Sequence, residues 1–141
     1  MKHRKTGRQF GRVRSQRKAL MHSLLSSLLI HGRIETTEAK AKETKDAIDK
    51  IITKAKRAVD SRMEITRKLS GSISQEAIVA LMGHMEKFDA RVSGYARVIK
   101  LAPRKSDSAH VAVIELVDLT KKTAKKKETV TEKKQVKESA K

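Results

Sequence analysis

Residues 1–20 carry eight Lys/Arg and no acid at all. The cations are Lys2, Arg4, Lys5, Arg8, Arg12, Arg14, Arg17 and Lys18, with Gly7 and Gly11 between them and almost nothing apolar. Such a stretch cannot build a core, and its like charges repel one another in isolation. Any fold must therefore come from downstream residues. This stretch becomes ordered only where dense negative charge meets it. Five of the eight cations are Arg, whose planar fork matches phosphate geometry. Two readings follow: a solvated disordered terminus, or an arm that threads into folded nucleic acid. The one-sided charge favours the arm.

The rest of the charge is uneven. The chain has 141 residues and a net charge of +18. Residues 120–141 hold nine Lys against three Glu, whereas residues 21–119 hold 17 Lys/Arg against 13 Asp/Glu. The organisation read from this is a basic arm over 1–14, a globular domain over 15–119 and a Lys-rich tail over 120–141. The tail is rich in Lys, Thr, Glu and Ala and has no aromatic, so it reads as disordered. The pattern fits RNA or DNA binding. It fits an anionic membrane surface less well, because neither extension alternates basic and bulky apolar residues.

There is no Cys. Disulfides and thiolate zinc sites are excluded, and a reducing interior is the simplest compartment. Leu20–Ile30 is a mostly apolar run of eleven residues behind a basic stretch, which resembles a signal peptide. The long basic region, the polar stripe of Ser23, Ser26 and Ser27, and the His31-Gly32-Arg33 that follows argue against one. The run is also too short to span a bilayer. A mitochondrial presequence shares the Arg-rich, acid-poor character and stays open as an alternative.

Periodicity outlines the domain. Ser15 is the expected cap of a helix over about 16–31, where Leu20, Leu24 and Leu28 repeat every four residues. Its wide apolar arc predicts the central, most buried helix, stopped by a left-handed Gly32. Arg33–Thr37 reads as a short strand. Thr37 caps a second helix over roughly 38–58, with Thr44, Ile48, Ile51, Ile52, Ala55 and Val59 on one face. Glu38 with Lys42 and Asp46 with Lys50 make i,i+4 pairs on the other. A short helix starts at Asp60 or Ser61, and another, capped by Ser72 or Ser74, covers about 75–86 with Phe88 just beyond. Tyr95–Leu101 and Val111–Val117 read as strands joined by a loop too long for a tight turn. The expected class is α+β: about four helices packed with a small three-stranded sheet.

No set of acids, bases or ligands converges as an enzyme would need. The five His show no metal-ligand spacing, and no Gly-rich phosphate loop or nucleophile motif is present. No cofactor and no small-molecule substrate is called for. Binding has better candidates beyond the arm. Lys40 and Lys42 open the second helix. Arg97 and Lys100 sit on opposite faces of a strand, and Arg104 and Lys105 occupy a loop tip. Tyr95 either stacks on a base or sits in the core beside Gly94. With two Phe and no Trp, this is no aromatic-platform reader of single strands. Recognition should rest on phosphate contact and RNA shape.

An opening block and four later blocks of residues also resemble a known family in the same order. Met1-Lys2-His3-Arg4-Lys5-Thr6-Gly7-Arg8 resembles the opening of the bacterial-type large-subunit ribosomal protein L-seventeen. Ser15–Leu20 with Ile34–Glu43, then Gly94–Lys100, then Ala112–Val117 resemble its later motifs. The likeness covers about residues 1–118. It implies a structural RNA-binding protein of the large ribosomal subunit, near the peptide exit tunnel, with large-subunit rRNA and neighbouring ribosomal proteins as partners. It implies residence in a cytoplasmic ribosome, with a mitochondrial or plastid ribosome as the second place, and no membrane. Its RNA-contacting segments map onto His3, Arg4, Lys5, Gly7, Arg8 and Arg12, and then onto Lys40, Lys42, Tyr95, Arg97 and Arg104. Ser106 and His110 stand where the family's loop shows Gly and Pro. From residues alone, a DNA-compacting protein with basic tails and a catalytic RNA-processing domain compete with this reading. The ordered blocks speak against both.

Overall fold

The computed structural model describes residues 7–58, 61–89 and 91–117. Four helices, α1 (Arg14–His31), α2 (Glu38–Lys56), α3 (Arg62–Leu69) and α4 (Gln75–Phe88), accompany three strands, β1 (Arg33–Thr37), β2 (Ala96–Lys100) and β3 (Val111–Leu116). The class is α+β, as the periodicity predicts. Expectations for Lys2–Thr6, Val59, Asp60 and the 120–141 tail lie outside the described residues.

The sheet runs β1-β3-β2 with both pairings antiparallel. β3 is central because it is apolar on both faces, and all six of its residues are buried. Ala112, Ile114 and Leu116 join the core, where Leu28, Leu29, Ile48, Ile52 and Leu81 are fully buried. Each large aliphatic removed from water there contributes about 1.5–3 kcal/mol. Glu115 interrupts the run and is nonetheless only 4% exposed. The register sets it opposite Arg97 on one side and Arg33 on the other, and the Arg97 Nε pairs with its carboxylate.

Three helix expectations change. Helix α1 starts at Arg14, and its N-cap is Val13 without a side-chain hydrogen bond. The Arg12 amide donates to the Gln9 carbonyl at 3.1 Å and the Arg17 amide to that of Val13 at 3.0 Å. A backbone turn therefore feeds the chain into the helix before Ser15 can cap it. Secondly, α2 buries six residues and α1 four, so α2 is the central helix. It packs against α1, α3 and all three strands. Thirdly, Ser26 leaves the expected polar stripe. It is buried, and its hydroxyl accepts from the Ser74 amide at 2.9 Å.

Several ends agree with expectation. Gly32 adopts φ 72° and donates to the Leu28 carbonyl, a left-handed stop that a Cβ would strain. Ser74 caps α4 by accepting from the Ala77 amide. Phe88 is the last residue of α4 rather than beyond it, and its ring meets Tyr95 edge-on at 5.6 Å.

Candidate nucleic-acid interface

Part of the basic arm is positioned by the fold. Gly7, Phe10 and Gly11 all take positive φ, which turns residues 7–12 back over α1 and α2. Arg8 Nε lies 3.6 Å from the Glu43 carboxylate on α2. The Arg12 guanidinium donates to the Phe10 carbonyl at 2.9 Å. The described arm is thus a folded turn rather than a free extension.

Three clefts line up along the N-terminal half of α2. The first, of about 670 Å³, lies between residues 7–10, the start of α1 and α2, and carries Arg8, Arg14, Arg17, Lys18 and Lys50. Glu43 and Asp46 also line it. The second, of about 420 Å³, joins Arg8 to Lys42 and His110. The third, of about 360 Å³, joins Lys40 to Arg104. Arg8 belongs to the first and second, and Thr37 to the second and third. Cations far apart in sequence therefore form one band running from α1 to the loop between β2 and β3.

That loop is held by its own backbone. The Leu101 amide donates to Val111, Arg104 to Ala109, and Ser108 back to Arg104 at 2.9 Å. Ser108 supplies a positive φ of 53°, so a serine does what a glycine does elsewhere. Arg104 is presented toward Lys40, with Asp107 at 3.5 Å, and Lys105 is exposed at the tip.

Acids on the band tune it. Glu38 receives Lys42 at 2.7 Å and Lys100 at 3.1 Å. Hydrogen bonds from Lys42 and then Lys100 lower its carboxyl from the ordinary 4.5 to about 2. Glu38 stays ionised and holds the two ammonium groups together. Lys100 is on the strand face opposite to Arg97, as expected.

Other candidates fall elsewhere. Lys2, His3, Arg4 and Lys5 lie outside the described residues. Arg97 sits on the outer face of the sheet with Glu115. Tyr95 is 1% exposed, and its hydroxyl lies 3.0 Å from the Arg91 carbonyl and 3.1 Å from that of Val92. This corrects the base-stacking alternative: the ring is enclosed and offers no face to a ligand. Phe10 is a cleft residue that sequence reasoning passed over, and Lys50, read there only as the partner of Asp46, is another. The signal for Phe10 was its place between Gly7 and Gly11, which marks a turn that presents it. Among the described residues no group of three His, Cys, Asp or Glu could hold a metal, and no helix is long and apolar enough to cross a membrane.

Comparison with known proteins settles the lineage. The family model for ribosomal protein L17 matches residues 20–117. The chain belongs to the ribosomal protein L17 family. Among its relatives, the large ribosomal subunit protein bL17 of Chlorobium luteolum is 48% identical over 116 residues, covering 81% of this chain and 66% of that protein. The bL17 of Chlorobaculum parvum is 46% identical over 122 residues, covering 85% of this chain and 77% of its own. The bL17 of Chlorobium limicola is 45% identical, covering 86% and 80%. The family match begins at Leu20, beyond the arm. It takes in α2, the sheet and the loop that carries Arg104, hence most of the second and third clefts of this L17-family chain.

Proposed function

We propose that this chain is a structural constituent of the large ribosomal subunit that binds folded large-subunit rRNA. The arm, with the band of clefts along α2, is the contact surface. Membership of a family of structural ribosome components, rather than enzymes, supports this reading. The observation that carries the RNA contact is the convergence of Arg8, Arg14, Arg17, Lys40, Lys42 and Arg104 on linked concave surfaces. Dispersed surface charge would not produce that arrangement. Arg side chains at cleft edges bind phosphate oxygens bidentately, and Lys adds mobile point charge. Phosphates neutralised this way release counterions, which supplies much of the affinity. The resemblance in the N-terminal block extends the surface to Lys2, His3, Arg4 and Lys5 and suggests a place near the peptide exit tunnel. Neighbouring ribosomal proteins are the further partners, and the cytoplasm is the compartment.

A sucrose gradient of cell lysate, probed with an antibody to this chain, tests the reading. The protein should sediment with large subunits and remain there after a moderate salt wash. Recovery with genomic DNA, or in the free fraction, would overturn it.

A further inference from the structure

We infer that the cleft between the arm and the α1–α2 pair receives an extruded, unpaired nucleotide, its base stacked on Phe10 and its flanking phosphates held by Arg14 and Arg17. The inference rests on the rRNA-binding reading and names the form of RNA that the site takes; it adds one stacked base to the phosphate contact and RNA shape expected from the aromatic-poor composition.

Three observations converge. The first is backbone conformation. Phe10 has φ 56°, a region that bulky residues seldom adopt. Gly7 and Gly11 meet the same demand without a side chain. An aromatic retained in such a conformation points to a use for its ring. The second is exposure. The chain has two Phe. Phe88 is fully buried in the core, whereas Phe10 stays partly exposed at the cleft. The Arg12 guanidinium on the Phe10 carbonyl holds the turn that presents it.

The third is the cleft itself. Its volume of about 670 Å³ lies within the range of about 300–1,000 Å³ that holds small molecules. Met21 and Ala47 give it apolar surface beside Phe10, and Arg14 and Arg17 line it as cations. A phosphate backbone alone needs neither depth nor an apolar wall. A base attached to phosphates needs both. RNA loops and bulges supply such bases, and an aromatic face stacks with any of the four. Asp46 in the same cleft supplies an acceptor for an exocyclic amino group, which adenine, cytosine and guanine carry and uracil lacks.

The test uses the full-length chain and deproteinised large-subunit rRNA, by filter binding across a salt series. Phe10→Leu should weaken binding by about fivefold or more, the lower bound of base–aromatic stacking, without changing the salt slope. Phe10→Trp should bind within about twofold of the parent, because indole stacks as well as phenyl. Arg14→Ala with Arg17→Ala should flatten the logarithmic salt slope by about 1.4–1.8. Irradiation at short ultraviolet wavelength, read by mass spectrometry, should place a nucleotide adduct on the Phe10 peptide of the parent protein. Circular dichroism compares the folding of each variant with the parent, and the crosslink decides if Phe10→Leu misfolds. Parent-like binding by Phe10→Leu, equal losses in Leu and Trp variants, or an adduct absent from Phe10 would each overturn the stacked nucleotide while leaving rRNA binding intact. A parent protein that fails to prefer large-subunit rRNA over DNA would instead overturn the function proposed above.

Discussion

The Lys56 ammonium lies 5.2 Å from the centre of the Tyr95 ring. The same group donates to the Phe88 carbonyl, to that of Arg91 at 2.6 Å and to that of Asp89 at 3.4 Å. One side chain from the end of α2 thus satisfies carbonyls left open at the C-terminus of α4 and covers an aromatic face. Two turns earlier on α2, the Asp49 carboxylate accepts from the Gly94 and Tyr95 amides. Lys56 and Asp49 together fix the segment that leads α4 into β2.

Lys56→Met should therefore destabilise the fold by about 1–3 kcal/mol, since the carbonyls lose a charged donor that methionine cannot replace. Tyr95→Phe keeps the ring contact with Phe88 and loses the hydroxyl bond, so it should cost about 1 kcal/mol. Urea unfolding followed by circular dichroism measures both. A larger loss from Tyr95→Phe than from Lys56→Met would contradict this account.

The Arg97–Glu115 pair is asymmetric. The Arg97 side chain is 56% exposed and that of Glu115 5%. Arg97→Ala strips the buried carboxylate of its partner and should cost about 1–3 kcal/mol, at the low end for a broken buried pair because Arg33 flanks the other side. Glu115→Leu should be close to neutral, since apolar replacements of buried charges commonly are. Denaturant midpoints for the two variants give the comparison, and the reverse order would refute it.

Glu38 predicts an acid dependence. Its carboxyl is held at about 2 against an ordinary 4.5, chiefly by Lys42 and then by Lys100. A depressed acid contributes its stability fully above 4.5 and loses it as pH falls from 4.5 toward 2. The side-chain carbon resonance of Glu38 should titrate near 2. Lys42→Met should move the midpoint upward more than Lys100→Met, and the double variant should approach 4.5. A midpoint near 4.5 in the parent protein would show the pairing to be absent in solution.

The two basic extensions should behave differently on RNA. Arg4, Arg8 and Arg12 are Arg in an acid-free arm, whereas the tail offers only Lys, diluted by Glu128, Glu132 and Glu138. Changing those three Arg to Ala should lower affinity for large-subunit rRNA and flatten the salt slope by roughly two to three units. Removing residues 120–141 should weaken nonspecific binding and leave incorporation into subunits nearly intact. Reconstitution with each variant reads this directly. Equal losses would mean that bulk charge, not placed Arg, governs incorporation.

Much was legible along the chain because it depends on neighbours in sequence. The 3.6-residue spacing of α2, the Ser74 cap, the left-handed Gly32 and the apolar run of β3 are local signals, and local hydrogen bonds or burial on one face enforce them. The acid-free arm was equally legible, since charge composition needs no folding to be read. Tertiary structure decided what depends on residues far apart. Tyr95 went to the core because Lys56 and Asp49, both far from it in sequence, close over it beside its near neighbour Phe88. Ser26 left its polar stripe because the Ser74 amide needed an acceptor. Ser15 lost its capping place to a turn made by the arm. The clefts that join Arg8 to Lys42, and Lys40 to Arg104, exist only once α2 lies between the arm and the β2–β3 loop. Periodicity tells which face of an element is buried. Only packing decides which faces meet, and hence which cations share a surface.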